Sequence, residues 1–78
     1  MKADMILDCI GLYCPMPIIK TAKKIKSLAI GDTLEILSDD EGIRKDIPAW
    51  CKQTGNTFLD LEEEGGKFRV FIRVGLTS

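Results

Sequence analysis

The chain predicts an α/β domain of α+β type, ordered β-α-β-α-β-β: a two-layer sandwich in which two helices cover one face of a four-stranded mixed sheet. Three observations predict it. Two short apolar runs, Met5-Ile6-Leu7 and Thr33-Leu34-Glu35-Ile36-Leu37, flank a stretch whose apolar residues recur at helical spacing. A second helical stretch follows. Two strand-like runs then meet at Gly65-Gly66, the last alternating apolar with polar residues. With 78 residues the chain makes one domain, 1–78. A chain so short buries roughly 60% of its unfolded surface, enough for one thin core. Function is therefore expected on the surface, with a partner completing any pocket.

The first strand is expected over residues 4–8, followed by a loop from Asp8 through Gly11 to Cys14. Helix one is expected from Met16 to Ala29. Ile18, Ala22, Ile25 and Ala29, with Leu28, form its apolar stripe, and Gly31 stops it. Lys20, Lys23, Lys24 and Lys26 face elsewhere; they make a solvated face or a docking face for an acidic partner. A strand, a helix and a second strand form a β-α-β unit, so the first two strands should be parallel with a right-handed crossover. Ser38 and Glu41 have capping-box spacing, and Asp39 and Asp40 beside them read as helix-capping residues.

Pro48 predicts a break in helix two: a short turn over 41–45, then a new start capped by Asp46, ending near Thr54 before Gly55. Ile43, Ile47, Trp50 and Cys51 form its inward face, with Cys51 a small core residue. Residues 57–62 and 67–74 form an antiparallel hairpin. In its last strand Phe68, Val70, Ile72 and Val74 face the core, while Lys67, Arg69, Phe71 and Arg73 form the polar face. That strand is expected at an open sheet edge, a route to dimers. Glu62-Glu63-Glu64 is a solubilising charge run.

Chemistry concentrates in Cys14-Pro15-Met16-Pro17, which opens helix one. The first turn of a helix carries unpaired N–H groups and partial positive charge, which favour a thiolate over a thiol. Pro is favoured in a first helical turn and pushes the residue before it toward extended backbone. Pro15 is thus expected to hold Cys14 outside the helix, and Pro17 to hold Met16 extended at its mouth. Both prolines lack N–H, so only Met16, Ile18 and Ile19 can donate nearby. A Cys-x-x-Cys redox pair would need a second thiol at position 17, which is Pro17, and a chain with no His has no Cys–His pair. A lone exposed thiolate can still accept a sulfur atom as a persulfide and pass it to another thiol. The same residues also fit a proline-bounded loop with an incidental cysteine.

Composition narrows the setting. The net charge is −1, so nothing global points to nucleic acid or membrane. No apolar run is long enough for a span, and the N-terminus lacks a signal-peptide core. Three cysteines at irregular spacing give no disulfide framework, which suits a reducing cytoplasm. No cofactor and no metal are expected. A metal or cluster on Cys9, Cys14 and Cys51, with Asp8 or water as fourth ligand, is the weaker alternative. Lys67, Arg69 and Arg73 could touch phosphates, but without an aromatic stacking set no direct nucleic-acid binding is expected.

Leu7-Asp8, Gly11-Leu12, Cys14-Pro15-x-Pro17, Gly31-Asp32 and Asp46-Ile47-Pro48-x-x-Cys51, in this order and spacing, resemble the TusA/SirA-like sulfur-carrier family over nearly the whole chain. The resemblance implies a two-layer α/β sandwich. It implies a sulfurtransferase-like carrier whose catalytic residue, Cys14, receives sulfur as a persulfide from a cysteine desulfurase or rhodanese-like donor and hands it to an acceptor protein. Family destinations include tRNA thiolation, sulfur oxidation and molybdenum-cofactor supply. Asp8, Gly11, Pro15, Met16 and Pro17 would shape the site, and Tyr13, Lys20 and Lys24 would dock a partner. Met16 stands where tRNA-thiolation members carry an acidic residue, Tyr13 where a basic one is frequent, and Cys9 is an added thiol that could pair with Cys14. The competing reading is a non-catalytic binding or regulatory module that uses the Pro-Met-Pro surface as a contact patch.

Overall fold

The computed structural model describes residues 3–13 and 15–75. Six elements follow in chain order: β1 (Met5–Asp8), α1 (Met16–Ile25), β2 (Thr33–Ser38), α2 (Ile43–Thr54), β3 (Thr57–Glu64) and β4 (Lys67–Arg73). They build one four-stranded sheet, ordered β1-β2-β4-β3. The β1–β2 pair is parallel and the other two pairs are antiparallel, so the expected mixed sheet is the observed one. β4, expected at an edge, lies inside the sheet. The hairpin folds β4 back against β2, which leaves β1 and β3 as the edges.

One face of the sheet carries the core. Across β2 and β4, Leu34 pairs with Ile72, Ile36 with Val70 and Ser38 with Phe68. All six are buried. Ile25 of α1 and Ile43, Ile47 and Cys51 of α2 close over this face, which places both helices on the same side. Phe71 departs from the polar face assigned to it: it points away from the core cluster yet is 1% exposed. Its strand has neighbours on both sides, with Glu35 opposite on β2 and Asp60 on β3. A ring in mid-sheet is covered by such cross-strand neighbours even on the solvent side.

α1 stops at Ile25, four residues short of the expected Ala29. Lys26, Ser27 and Leu28 donate instead to the carbonyls three residues back, at 3.0–3.3 Å, the tighter winding common at helix ends. The Ser27 hydroxyl also donates to the Lys24 carbonyl at 2.8 Å. The turn brings Leu28 against the core and leaves Ala29 exposed. Gly31 lies beyond the helix, with φ +97° and its N–H on the Val74 carbonyl. The buried stripe of α1 is Pro17, Thr21 and Ile25. Polar Thr21 hides there because its hydroxyl donates to the Pro17 carbonyl at 2.7 Å.

α2 is a single helix with Pro48 inside it, not the expected turn and restart. A proline in a helix interior costs about 3 kcal/mol, because the carbonyl four residues back, here that of Arg44, loses its partner. Ile43, Ile47 and Cys51 lie on either side of Pro48 at four-residue spacing and are 2%, 0% and 1% exposed. Each buried isoleucine contributes about 1.5–3 kcal/mol, so the face offsets the lost bond. Asp46 is not a cap: its N–H donates to the Gly42 carbonyl at 3.0 Å, inside the first turn. The Ser38–Glu41 capping box does not form either. Asp40 N–H donates to Ser38 Oγ at 3.1 Å, and Gly42 N–H to Asp40 Oδ1 at 3.1 Å. Gly55, left-handed at φ +82°, ends the helix as expected.

Candidate functional site

Cys14 lies outside the described residues; the chain leading to it and away from it is defined. The β1–β2 ladder continues one step past β1, where Cys9 N–H donates to the Leu37 carbonyl at 2.8 Å. Asp8 Oδ1 then accepts the N–H of Ile10 at 2.9 Å, a local turn of the kind aspartate favours. Gly11 takes φ +84°, a conformation other residues rarely adopt. Its N–H donates to Asp39 Oδ1, 28 residues on, at 3.0 Å. Leu12 N–H closes back on the Cys9 carbonyl at 3.1 Å. So Asp39, expected to cap a helix, holds the site loop, while the Asp40 carboxylate accepts the Gly42 N–H in the turn before α2. A carboxylate at a strand end was the visible signal; its cross-loop partner was not.

On the far side, Met16 N–H donates to the Tyr13 carbonyl at 2.8 Å, so the residues on either side of positions 14 and 15 are bonded to each other. Pro15 is the N-cap of α1, and Met16 is its first residue despite preceding Pro17, which sits buried in the first turn. The steric bias of a pre-proline residue toward extended backbone is overridden at Met16, whose N–H is held by the Tyr13 carbonyl and whose neighbour Pro17 is buried. Ile19 N–H donates to the Pro15 carbonyl at 3.1 Å. Two of the three donors expected at this helix mouth are therefore spent. A thiolate there would draw at most on the Ile18 N–H and the helix dipole.

Around the loop stands a collar of exposed apolar side chains: Tyr13 is 69% exposed, Met16 43%, Ile19 40% and Ile10 39%. Lys20 is exposed at the same end of α1, and its charge reaches Cys9. Lys24 lies half-buried one turn further along. Among the described residues no lysine of α1 takes part in an ion pair; the pairs found join Arg44 to Glu41 and Glu63, and Arg69 to Glu35. Ile10 also borders a groove of about 650 Å³ whose walls include Leu37, Phe68 and the acidic stretch 62–64.

Cys9 is wholly buried beneath the loop. Burial pushes its thiol above the usual 9.0, Lys20 pulls it down and Asp8 adds to the rise. Cys51, in the core, is pushed up to about 11 by burial. Among the described residues no group of three His, Cys, Asp or Glu side chains is placed to hold a metal, and no helix is long and apolar enough to cross a membrane. Of the basic residues on β4, Arg69 faces Glu62 and Lys67 faces Glu64 across the hairpin, so carboxylates alternate with these cations.

The family model for sulfurtransferase TusA matches residues 5–74. The chain belongs to the TusA family. It is 49% identical over 75 residues to the putative sulfur carrier protein YrkF of Bacillus subtilis, covering 96% of this chain but only 40% of that protein. It is 40% identical to the putative sulfur carrier protein YrkI of the same organism, covering 96% of this chain and 100% of the relative. It is 41% identical to the sulfur carrier protein TusA of Allochromatium vinosum, covering 90% and 92%. The crystal structure of a SirA-like protein from Desulfitobacterium hafniense superposes with a TM-score of 0.79 at 26% identity, over 92% of this chain and 99% of that one. A TusA-family chain thus carries the two-helix, four-stranded fold expected from its sequence, with Pro15, Met16 and Pro17 where the β1–α1 loop meets the helix.

Proposed function

We propose that this chain is a single-domain sulfur carrier of the cytoplasm. In this reading the Cys14 thiolate attacks the terminal sulfur of a donor persulfide. The donor's S–S bond breaks and the donor leaves as a thiolate, so Cys14 gains the sulfur with its proton and no outside oxidant is used. In the second half, an acceptor thiolate attacks the terminal sulfur of the Cys14 persulfide and Cys14 leaves as a thiolate. The donor would be a cysteine desulfurase or a rhodanese-like protein, and the acceptor another protein.

One observation carries the reading beyond family membership. The loop before Cys14 is turned by Asp8 and tied to the end of β2 by Asp39, while Ile10, Tyr13, Met16 and Ile19 stay open to solvent. A carrier must offer its sulfur to two partners in turn, and an apolar collar beside a fixed loop suits brief contact with each. Tyr13 would supply apolar contact, and Lys20 and Lys24 would meet an acidic rim on the donor.

The test is intact-mass spectrometry after incubation with a cysteine desulfurase and cysteine. The native chain is expected to gain a sulfur atom and Cys14→Ser to gain none. Equal labelling of both would remove Cys14 from the mechanism. The exposed collar also fits a contact module without sulfur chemistry. Full function of Cys14→Ser in a deletion strain would favour that reading.

A further inference from the structure

We infer that Asp39 is the positioning residue of the sulfur-bearing loop: from the end of β2 its carboxylate grips the Gly11 N–H and sets the path of the chain toward Cys14. The inference rests on the carrier reading of Cys14. Past Cys9, two hydrogen bonds among the described residues tie residues 10–13 to other elements: Tyr13 to Met16 at the start of α1, which comes after position 14, and Gly11 to Asp39, which alone reaches the β2 end of the sheet. The bond from Ile10 to Asp8 spans two residues and shapes the turn without attaching it to anything. Leu12 N–H likewise returns to Cys9.

The anchor itself is firm. Ser38 is buried and paired with Phe68, and its hydroxyl accepts the Asp40 N–H. The Asp40 carboxylate in turn accepts the N–H of Gly42, at the cap of α2. Asp39 therefore leaves a braced turn at the rim of the sheet and reaches sideways to the neighbouring loop. Gly11 answers it with positive φ. A Cβ built there would meet nothing within 4 Å, so the glycine is required by conformation rather than by space. Its two neighbours, Ile10 and Leu12, face different surroundings: Ile10 is part of the exposed collar, and Leu12 packs against the core. Fixing Gly11 sets both at once. Loss of the grip would leave Cys14 chemically intact but carried on a loop whose contact side chains wander.

The experiment compares Asp39→Ala, which removes the acceptor, with Asp39→Asn, which keeps an oxygen in place and removes the charge. Amide hydrogen exchange at Gly11 is expected to speed up about tenfold in Asp39→Ala, the factor an ordinary charge-assisted hydrogen bond carries. Asp39→Asn should stay within about threefold of the native rate, as befits a neutral bond of lesser strength. Sulfur loading from a cysteine desulfurase supplied with cysteine should slow in Asp39→Ala and recover in Asp39→Asn. Alkylation of Cys14 by iodoacetamide, which needs no docking, should be equal in all three proteins.

Unchanged Gly11 exchange or unchanged loading in Asp39→Ala would overturn the inference. So would an Asp39→Asn as impaired as Asp39→Ala, or a matching loss of alkylation, which would make Asp39 an activator of the thiol. A Cys14→Ser protein that still takes up sulfur sinks the carrier reading, while the exchange result at Gly11 is read independently of it.

Discussion

Cys9 and Cys51 share a burial that separates them from Cys14's expected role. A thiol without solvent is held neutral, and both are pushed above their usual range for that reason. Their effect on stability has a definite sign. Below pH 9 each is protonated folded and unfolded, and its contribution is fully present. Above pH 9.0 the unfolded thiol of Cys51 ionises while the folded one holds its proton until about 11. Unfolding then releases a proton, so stability falls as pH rises through that window. The melting temperature is expected to drop between pH 9 and 11 and to drop less in Cys51→Ala. That variant should also be less stable at pH 7 by about 1 kcal/mol, for a lost buried sulfur. An equally steep alkaline limb in Cys51→Ala would assign the effect elsewhere.

Among the elements, α2 shows what a local rule leaves out. Pro48 reads as a break because a proline breaks helices in isolation. The apolar spacing Ile43, Ile47, Cys51 already ran straight through it, and tertiary burial outweighed the local cost. Replacing Pro48 with alanine is expected to restore a partner for the Arg44 carbonyl. The gain should be about 1–2 kcal/mol, smaller than the full cost of an interior proline because the unfolded chain also becomes freer. Urea denaturation checks it; a loss of stability would mean that the ring's packing matters more than the missing bond. The strands, the Gly55 stop and the core face of α2 were legible because period-two and four-residue spacing encode burial directly. What escaped depended on partners distant in the chain. Thr21 is buried because it satisfies itself on Pro17, and Phe71 because its strand lies in mid-sheet. Asp39 was legible as a residue worth naming but not as the holder of Gly11, since a 28-residue reach leaves no periodic trace.

For the whole molecule, charge is divided by region. The chain is nearly neutral at −1, yet α1 carries Lys20, Lys23 and Lys24 and no acidic residue in its first turn. At the hairpin, Glu62-Glu63-Glu64 line the groove beside Ile10 together with Lys67 and Arg69, and Arg44 pairs with Glu63, so charge there is close to balanced. A partner approaching the Cys14 loop therefore meets, on α1, a positive side that none of the ion pairs among the described residues neutralises, which orients it before contact. Reversing Lys20 and Lys24 to glutamate is expected to slow sulfur loading from the desulfurase about tenfold at low salt, with the gap narrowing as salt rises. The iodoacetamide rate at Cys14 should change far less. Loading that is insensitive to both the reversal and the salt would show that α1 is not the face presented to the donor.

The loop that leads to Cys14 is fastened at the end of β2 through Leu37 and Asp39 and at α1 through the backbone N–H of Met16, while the side chains of Ile19, Lys20 and Lys24 take no part in those bonds. Mount and recognition surface are thus separately encoded. Over evolutionary time the exterior of the helix could be rewritten for a new customer while the bracket that presents the sulfur stayed as it was. One small scaffold could in this way be retargeted by a few surface substitutions.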